Sequence, residues 1–320
     1  MRISLIAYDG VFDSGLAALL DVLETANAMR EQIQSPPPAW EVTTIAPRRH
    51  VRTGAGHSVT AEPLELASEC DLLLVPAMSE RRPDALLEEV AGKNCGAVRH
   101  AVAAARSEGI PVYSACTGTF LLAESGVLEG RRATTSWWLA PVFRTRYPGV
   151  EVDQSAMIVA DRGVTTAGAA FGHLDLALSV VRGTSPALAD LIASYLVIDE
   201  RPSQSAYTIP SALAQSDPTA AAFERWARGR LSDPVSIPEA AQAIGVSERT
   251  LQRTMHRVLG VSPVRFIQDL RIEQASHLLR TTDLTLETIA RRVGYEHANT
   301  LRVLLRERTG RTARSLRRMD

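Results

Sequence analysis

Two stretches near the carboxyl end share one pattern at a nearly fixed offset. SIPEAAQAIGVSERTLQRTMHRVLG runs from Ser236 to Gly260, and TLETIARRVGYEHANTLRVLLRERTG from Thr285 to Gly310. Ala241 and Ala290, Ile244 and Val293, and Gly245 and Gly294 are each 49 residues apart. The register then slips by one, since Leu251 follows its glycine by six residues and Leu301 by seven. A small residue where two helices approach, and a glycine where the turn needs positive φ, are what a helix-turn-helix requires. The repeat therefore confines this end of the chain to an all-α unit with two such motifs. Ser247 is placed to cap the second helix of the first motif, with Thr250 in the third helical position. That helix buries Leu251, Met255 and Val258 and turns Arg249, Thr250, Gln252, Arg253 and His256 outward. In the second motif Asn299, Thr300, Arg302, Arg306 and Arg308 surround Leu301, Leu304 and Leu305.

Charge supports a polyanion as partner for this end alone. From Asp217 to Asp320 there are 18 arginines and 12 acidic residues, a surplus of +6, while the rest of the chain carries −7. Lys93 is the only lysine. Arg, Gln and Asn suit bidentate contacts with base edges, and further arginines suit phosphates. Double-stranded promoter DNA is thus the expected partner of Ser247, Arg249, Thr250, Gln252, Arg253 and His256, and of Asn299, Thr300, Arg302 and Arg306.

The first part of the chain alternates short apolar runs with helical patterns. Ile3–Tyr8, Trp40–Ala46, Leu72–Pro76 and Ile110–Ala115 read as strands. Gly15–Met29, Ala97–Ala105, Leu174–Val181 and Ala187–Val197 read as helices, and Met157–Thr166 as a hairpin turning at Asp161-Arg162-Gly163. Such alternation implies an α/β fold with a mostly parallel sheet covered on both faces. Asp199–Pro218, with Pro202, Pro210 and Pro218 among many Ser and Thr, reads as a linker. The expected domains are 1–198, a linker at 199–217, and 218–320. No apolar run approaches the roughly 20 residues of a bilayer span, and MRISLIAYDG lacks the h-region of a secretory signal, so a cytoplasmic protein is expected. Cys70, Cys95 and Cys116 are too scattered for a disulfide framework or a metal site, and no metal or cofactor is expected.

Cys116 has a setting that the other cysteines lack. Val112-Tyr113-Ser114-Ala115-Cys116-Thr117-Gly118 runs from an apolar strand through the cysteine into a helix. Small neighbours allow a sharp turn that presents the thiol at a helix start, as in a nucleophile elbow, where the helix dipole favours thiolate. A small buried core cysteine accounts for the same residues equally well. A redox-sensing thiol is a further reading, with Cys70 or Cys95 approaching in space.

Two resemblances sharpen these expectations. Residues 218–320, including GVSPVRFIQDLRIEQASHLLRTTDLTLETIA from Gly260 to Ala290, resemble an AraC-type DNA-binding domain. The resemblance implies a long helix holding the two readers about a DNA turn apart. The sequence departs from that family at Leu301 and Leu305, where aromatics are usual, and at Ala313, where Pro is usual. The first motif is therefore expected to be the better sequence reader, and the second to contribute more grip than discrimination. SACTGTFLLAESGVLEGRRATTSWW, Ser114 to Trp138, and TTAGAAFGHLDLAL, Thr165 to Leu178, resemble the ThiJ/PfpI superfamily with its class I glutamine amidotransferase-like, flavodoxin-like sandwich. The whole chain resembles a GlxA-family transcriptional regulator. That resemblance implies a small-molecule effector, a homodimer, RNA polymerase as a further partner, and no membrane association. Enzymatic ThiJ/PfpI members often carry His directly after the cysteine, where Thr117 stands, or in the segment where Ser136 stands. Their acid falls near Ser14-Gly15, with Asp13 the nearest acidic residue. His57 and His173 are the remaining candidate bases. Asp13, Cys116, Thr117, Gly118, Ser136 and Trp137 are the expected ligand-site residues, with binding favoured over catalysis. The alternative is a cysteine hydrolase or amidase that carries a DNA-binding module.

Overall fold

Short, fully apolar runs such as Leu72–Val75 can be satisfied only inside a sheet covered on both faces, and that is where they lie. The computed structural model describes residues 1–317 apart from 200, 202, 205, 206 and 216. Two compact units divide the chain: residues 1–143 with 147–204, and residues 144–146 with 205–320.

In chain order the strands are β1 (Arg2–Ile6), β2 (Glu41–Ala46), β3 (His50–Arg52), β4 (Ser58–Thr60), β5 (Glu62–Pro63), β6 (Leu72–Val75), β7 (Val112–Ala115), β8 (Arg132–Ala133), β9 (Glu151–Val152), β10 (Ile158–Asp161) and β11 (Val164–Ala167). Seven of them form the main sheet in the order β10-β11-β7-β6-β1-β2-β5. All its pairings are parallel except β10 with β11. The β10–β11 hairpin turns on Arg162 (φ 45°) and Gly163 (φ 80°), the two positive values that a type I′ turn requires. The remaining strands form two small pairs, β3 with β4 and β8 with β9.

Helices Asp13–Met29, Gly96–Ser107 and Gly172–Thr184 bury one face each. Leu19, Val22 and Leu23 of the first join Ile3, Leu5, Leu73 and Leu74 of the sheet in one core. This is the mostly parallel sheet expected from the alternation, in the flavodoxin-like form that the ThiJ/PfpI resemblance implied. In such sheets the groups free to meet a ligand lie beyond the carboxyl ends of the strands. Here that edge carries the segments after β1, β6 and β7.

The second unit is helical throughout its described residues. Helix Pro263–Thr281, 19 residues and about 28 Å long, is its spine. Its later residues Ile272, Ala275 and Leu279 pack on Ile289, Ala290, Val293, Leu301 and Leu305 of the second motif. Its earlier Phe266 meets Phe223 with ring centroids 6.0 Å apart. The leucines that replace the usual aromatics, Leu301 and Leu305, are wholly buried, and Ala313 opens the helix Ala313–Arg317.

The proline-rich stretch expected to be a linker holds more structure than its composition suggests, although five of its residues lie outside the described ones. Pro210 begins the helix Pro210–Ala214, because proline's missing N–H costs nothing in a first turn. Gln204, only 1% exposed, is sunk into the α/β unit.

Candidate functional site

The strand β7 ends in a backbone that an L-residue rarely adopts. Cys116 has φ 57°, in the left-handed region, and its N–H donates to the Ala167 carbonyl at 2.8 Å. That conformation costs on the order of 1 kcal/mol or more and marks sites where the surroundings impose it. Gly118 is needed immediately afterwards, because a Cβ there would lie 2.6 Å from the Pro76 carbonyl oxygen. The elbow read from the sequence is therefore present, and the helix Gly118–Glu124 leaves from it.

Burial keeps the Cys116 thiol protonated. Cys116 is 5% exposed, and burial pushes its thiol up, against the opposing hydrogen bonds of Ser136 and Thr117. The thiolate expected from the helix dipole is not favoured, since this helix has only seven residues and desolvation outweighs it. Ser136 Oγ shares a 2.9 Å hydrogen bond with Sγ, and Thr135 Oγ1 donates to the Cys116 carbonyl at 2.8 Å. Thr117 Oγ1 accepts from the Met78 N–H at 2.7 Å and donates to the Met78 carbonyl at 2.8 Å, so its hydroxyl ties β6 to β7.

Asp13 does not turn to the thiol. Its carboxylate accepts from Thr53 Oγ1, His57 Nδ1 at 2.7 Å and the Ala55 N–H at 2.9 Å. Burial works to raise its pKa, but these donors win and hold it at about 2. His57 is thereby spent on Asp13 at the exposed rim. The other candidate base, His173, lies in the first turn of a helix rather than in a loop, and its ring is fully buried. Its Nε2 accepts from the Ala77 N–H at 3.0 Å and its Nδ1 faces the Ala170 carbonyl at 2.6 Å. Those two partners allow one neutral tautomer, with the proton on Nδ1. Burial lowers its pKa to about 4. The same ring fills the space beside Gly15, where a Cβ would lie 2.6 Å from Nε2. An acid cannot occupy that position without moving His173.

Sequence reasoning missed Gln204. Its Nε2 donates to the Thr135 and Ala156 carbonyls at 3.0 Å each and to Thr134 Oγ1 at 3.2 Å, and its Oε1 accepts from the Trp137 N–H at 3.2 Å. It thus grips the Thr134–Trp137 segment that sets Ser136 on the thiol. The single cue was Gly168, whose missing side chain leaves the space that Gln204 occupies. A second feature of this unit is a cleft of about 490 Å³ lined by Met157, Asp175, Leu178, Arg182, Asp190 and Arg201 among others. Its arginines are paired, Arg201 with Asp175 at 2.5 Å and Arg182 with Asp190 at 3.0 Å. Among the described residues no cluster of three or more His, Cys, Asp or Glu side chains could hold a metal ion, and all three cysteines are free and buried.

In the helical unit, Ser247 Oγ accepts from the Thr250 N–H at 3.1 Å and caps the helix Glu248–Leu259. His297 takes the same place before Ala298–Thr309 without a side-chain cap. Each helix is 12 residues long and closes on a left-handed glycine, Gly260 (φ 69°) or Gly310 (φ 67°). Gln252, Arg253 and His256 are exposed on the first, and Asn299, Thr300, Arg302 and Arg306 on the second. Gln252 donates to Glu248 at 2.9 Å and Arg302 to Asn299 at 3.1 Å. Among the described residues no ion pair or hydrogen bond engages the Arg249, Arg253 or Arg306 side chains. Arg308, expected outward, folds back instead to Gln268 at 3.3 Å and Asp269 at 3.8 Å, because its position on the helix faces the spine.

A flavodoxin-like unit with a cysteine elbow, joined to a pair of helix-turn-helix motifs, is the class that fold and site define. Residues 1–183 match the DJ-1/PfpI family, and the chain belongs to that family. Residues 240–319 match a helix-turn-helix domain, in agreement with the AraC-type pair read from the sequence. The chain is similar to the HTH-type transcriptional regulator CdhR of Pseudomonas aeruginosa, 29% identical over 192 residues that cover 59% of this chain and 57% of that one. It is also similar to the HTH-type transcriptional regulator ArgR of the same organism, 27% identical over 191 residues covering 58% of each. The chain spans about half the length of the curated relatives it matches. An AraC family transcriptional regulator from Pseudomonas putida shares the fold, with a TM-score of 0.51 at 20% identity over 61% of this chain and 98% of that one. Among the described residues no helix is long and apolar enough to cross a membrane.

Proposed function

We propose that the chain is a sequence-specific DNA-binding transcriptional regulator whose α/β unit binds a small effector and performs no chemistry on it. The observation that carries the DNA-binding reading is the pair of equal-length exposed helices. They present unengaged Arg249, Arg253 and Arg306 on a unit with a surplus of positive charge. Unengaged arginines have lost no partner that DNA must displace, so their phosphate and base contacts come at little cost. The transcriptional regulators among the relatives support the same reading.

Binding without turnover is supported by the partners that occupy the candidate bases among the described residues. Nucleophilic cysteine chemistry needs a group to take the proton. His173 is fixed neutral with both nitrogens occupied, His57 is held by Asp13, and the thiol itself is pushed up. The effector is proposed to act at the elbow, bounded by Asp13, Cys116, Thr117, Gly118, Ser136 and Trp137. A carbonyl or carboxylate oxygen is suited to replace the Ser136 hydroxyl on the thiol. Displacing Ser136 would disturb the Thr134–Trp137 segment that Gln204 holds, and an effector shifts the regulator only if it binds the disturbed and undisturbed arrangements with different affinity. Exposed Phe171, Tyr195 and Val197 supply apolar surface for a homodimer.

The test is DNA binding by the full chain to sequences selected from a random pool, over a salt series. A negative salt slope and a loss of about 1–3 kcal/mol in Arg253→Ala on the selected sequence are expected. A full-length protein that selects no sequence and shows no salt-dependent binding sinks the reading.

A further inference from the structure

The sequences of the two reading helices align with an offset of 50 residues. Leu251 corresponds to Leu301, Met255 to Leu305 and Gly260 to Gly310, and the pattern of buried and exposed positions agrees along both helices apart from a few half-buried sites. On that register Arg249 corresponds to Asn299, Thr250 to Thr300, Gln252 to Arg302 and His256 to Arg306. Polar residues thus match polar ones at these four pairs and at Arg257 with Glu307, whereas Glu248 meets Ala298 at the helix start and Thr254 meets Leu304 on the inner face. At the position of Arg253, the second helix has Val303, which is 49% exposed. Val303 is one turn from Asn299 and from Arg306 on the same face. An apolar, β-branched side chain among Asn299, Arg302 and Arg306 leaves about half of its surface outside the unit's core. It also holds a stiff shape, because its χ1 has one preferred rotamer in a helix.

We propose that Val303 reads a thymine methyl group, so that the second motif discriminates by an apolar contact where the first uses an arginine. This inference rests on the DNA-binding reading and adds a partner chemistry to it. In the major groove the thymine C5-methyl is the one apolar marker among the base edges, and guanine O6 and N7 are the acceptors an arginine reads. The operator is then asymmetric in chemistry as well as sequence: a guanine opposite Arg253 and a thymine opposite Val303. Asn299, Arg302 and Arg306 flank the valine with groups for adenine, guanine or phosphate, which locates the methyl contact in the middle of the second half-site. The second motif then contributes discrimination as well as grip, beyond what its arginine content suggested.

The experiment uses the full chain and the sequence it enriches from random DNA. Each thymine in the enriched site is replaced singly by deoxyuridine, which removes the methyl and leaves the hydrogen-bonding edge intact. One replacement in one half-site is expected to weaken wild-type binding about fourfold, the effect of one buried methyl-sized group. Val303→Ala, a change at an exposed helix position, is expected to bind the thymine and deoxyuridine sites equally. Val303→Arg is expected to move the preference at that base pair toward guanine, as at Arg253. If an enriched site shows no deoxyuridine penalty at any position, or Val303→Ala keeps the penalty, the inference is overturned and DNA binding stands. If no sequence is enriched, the DNA-binding reading itself fails.

Discussion

Gly245 and Gly294 occupy the same place in the two motifs and share a left-handed backbone, with φ 74° and 80°. Substituting each with alanine separates backbone cost from packing cost. At Gly245 a Cβ meets nothing within 4 Å, so only the left-handed conformation is penalised, by about 1–2 kcal/mol. At Gly294 the same penalty applies, but the Cβ also falls on the Leu231 carbonyl oxygen and within 2.7 Å of Arg271 Nη2. The arginine can swing away; the carbonyl belongs to the backbone and cannot do so cheaply. Overpacking of this kind adds about 1–3 kcal/mol, for a total near 3 kcal/mol or above. For a unit of this size 1 kcal/mol moves the melting temperature by about 4–8 °C. Gly245→Ala is expected to lower the transition of the helical unit by about 5–10 °C and Gly294→Ala by about 15 °C or more. Trp226 is the one tryptophan in 205–320, so in a full chain with Trp40, Trp137 and Trp138 replaced by phenylalanine its fluorescence reports that transition. Equal shifts for the two variants would refute the packing argument, and no shift in either would refute the backbone argument too.

Three further outcomes are expected. His173 is neutral in the fold with a pKa near 4 against its ordinary 6.5, so the unfolded chain takes up that proton first. Its contribution is complete above about pH 6.5 and is lost as pH falls toward 4, by roughly 3 kcal/mol. Denaturant midpoints of the α/β unit that do not fall between those pH values would contradict this. With burial raising all three thiols, iodoacetamide at neutral pH is expected to label the native chain slowly, and a rapid one-equivalent phase at Cys116 would revive the hydrolase reading. Gln204→Ala strands the Trp137 N–H and two carbonyls in a buried place and is expected to cost about 2 kcal/mol, read from the α/β unfolding curve; an unchanged curve would mean that Gln204 is not a structural anchor.

What the sequence made legible follows from periodicity and turn chemistry. The parallel sheet, the hairpin at Arg162-Gly163 and both helix-turn-helix units each announced themselves through local spacing. Strands of two or three residues, such as β5, β8 and β9, carry too few positions for any period to show. The fate of Asp13 was hidden because its partners Thr53 and His57 lie some 40 residues away in a loop without pattern. The tautomer of His173 depends on a backbone amide 96 residues distant. Gln204 sat in a stretch whose composition reads as loop, and only its long-range bonds reveal that it is core. Arg308 looked like its neighbours because charge alone does not tell which side of a helix faces the spine. Cys116 shows both limits: the turn was readable from small neighbours, whereas the state of the thiol depends on how deeply the fold buries it.

The near-absence of lysine has a practical reach beyond charge. The single Lys93 lies exposed on the α/β unit, and the helical unit contains none. Lysine acylation, which removes a positive charge, has no residue to act on in the helical unit. Guanidinium groups stay protonated and unreactive toward amine-directed reagents at neutral pH. A fluorophore attached through amine chemistry therefore lands on Lys93 or the amino terminus. It leaves every arginine of the helical unit intact for an anisotropy test of the proposed DNA binding.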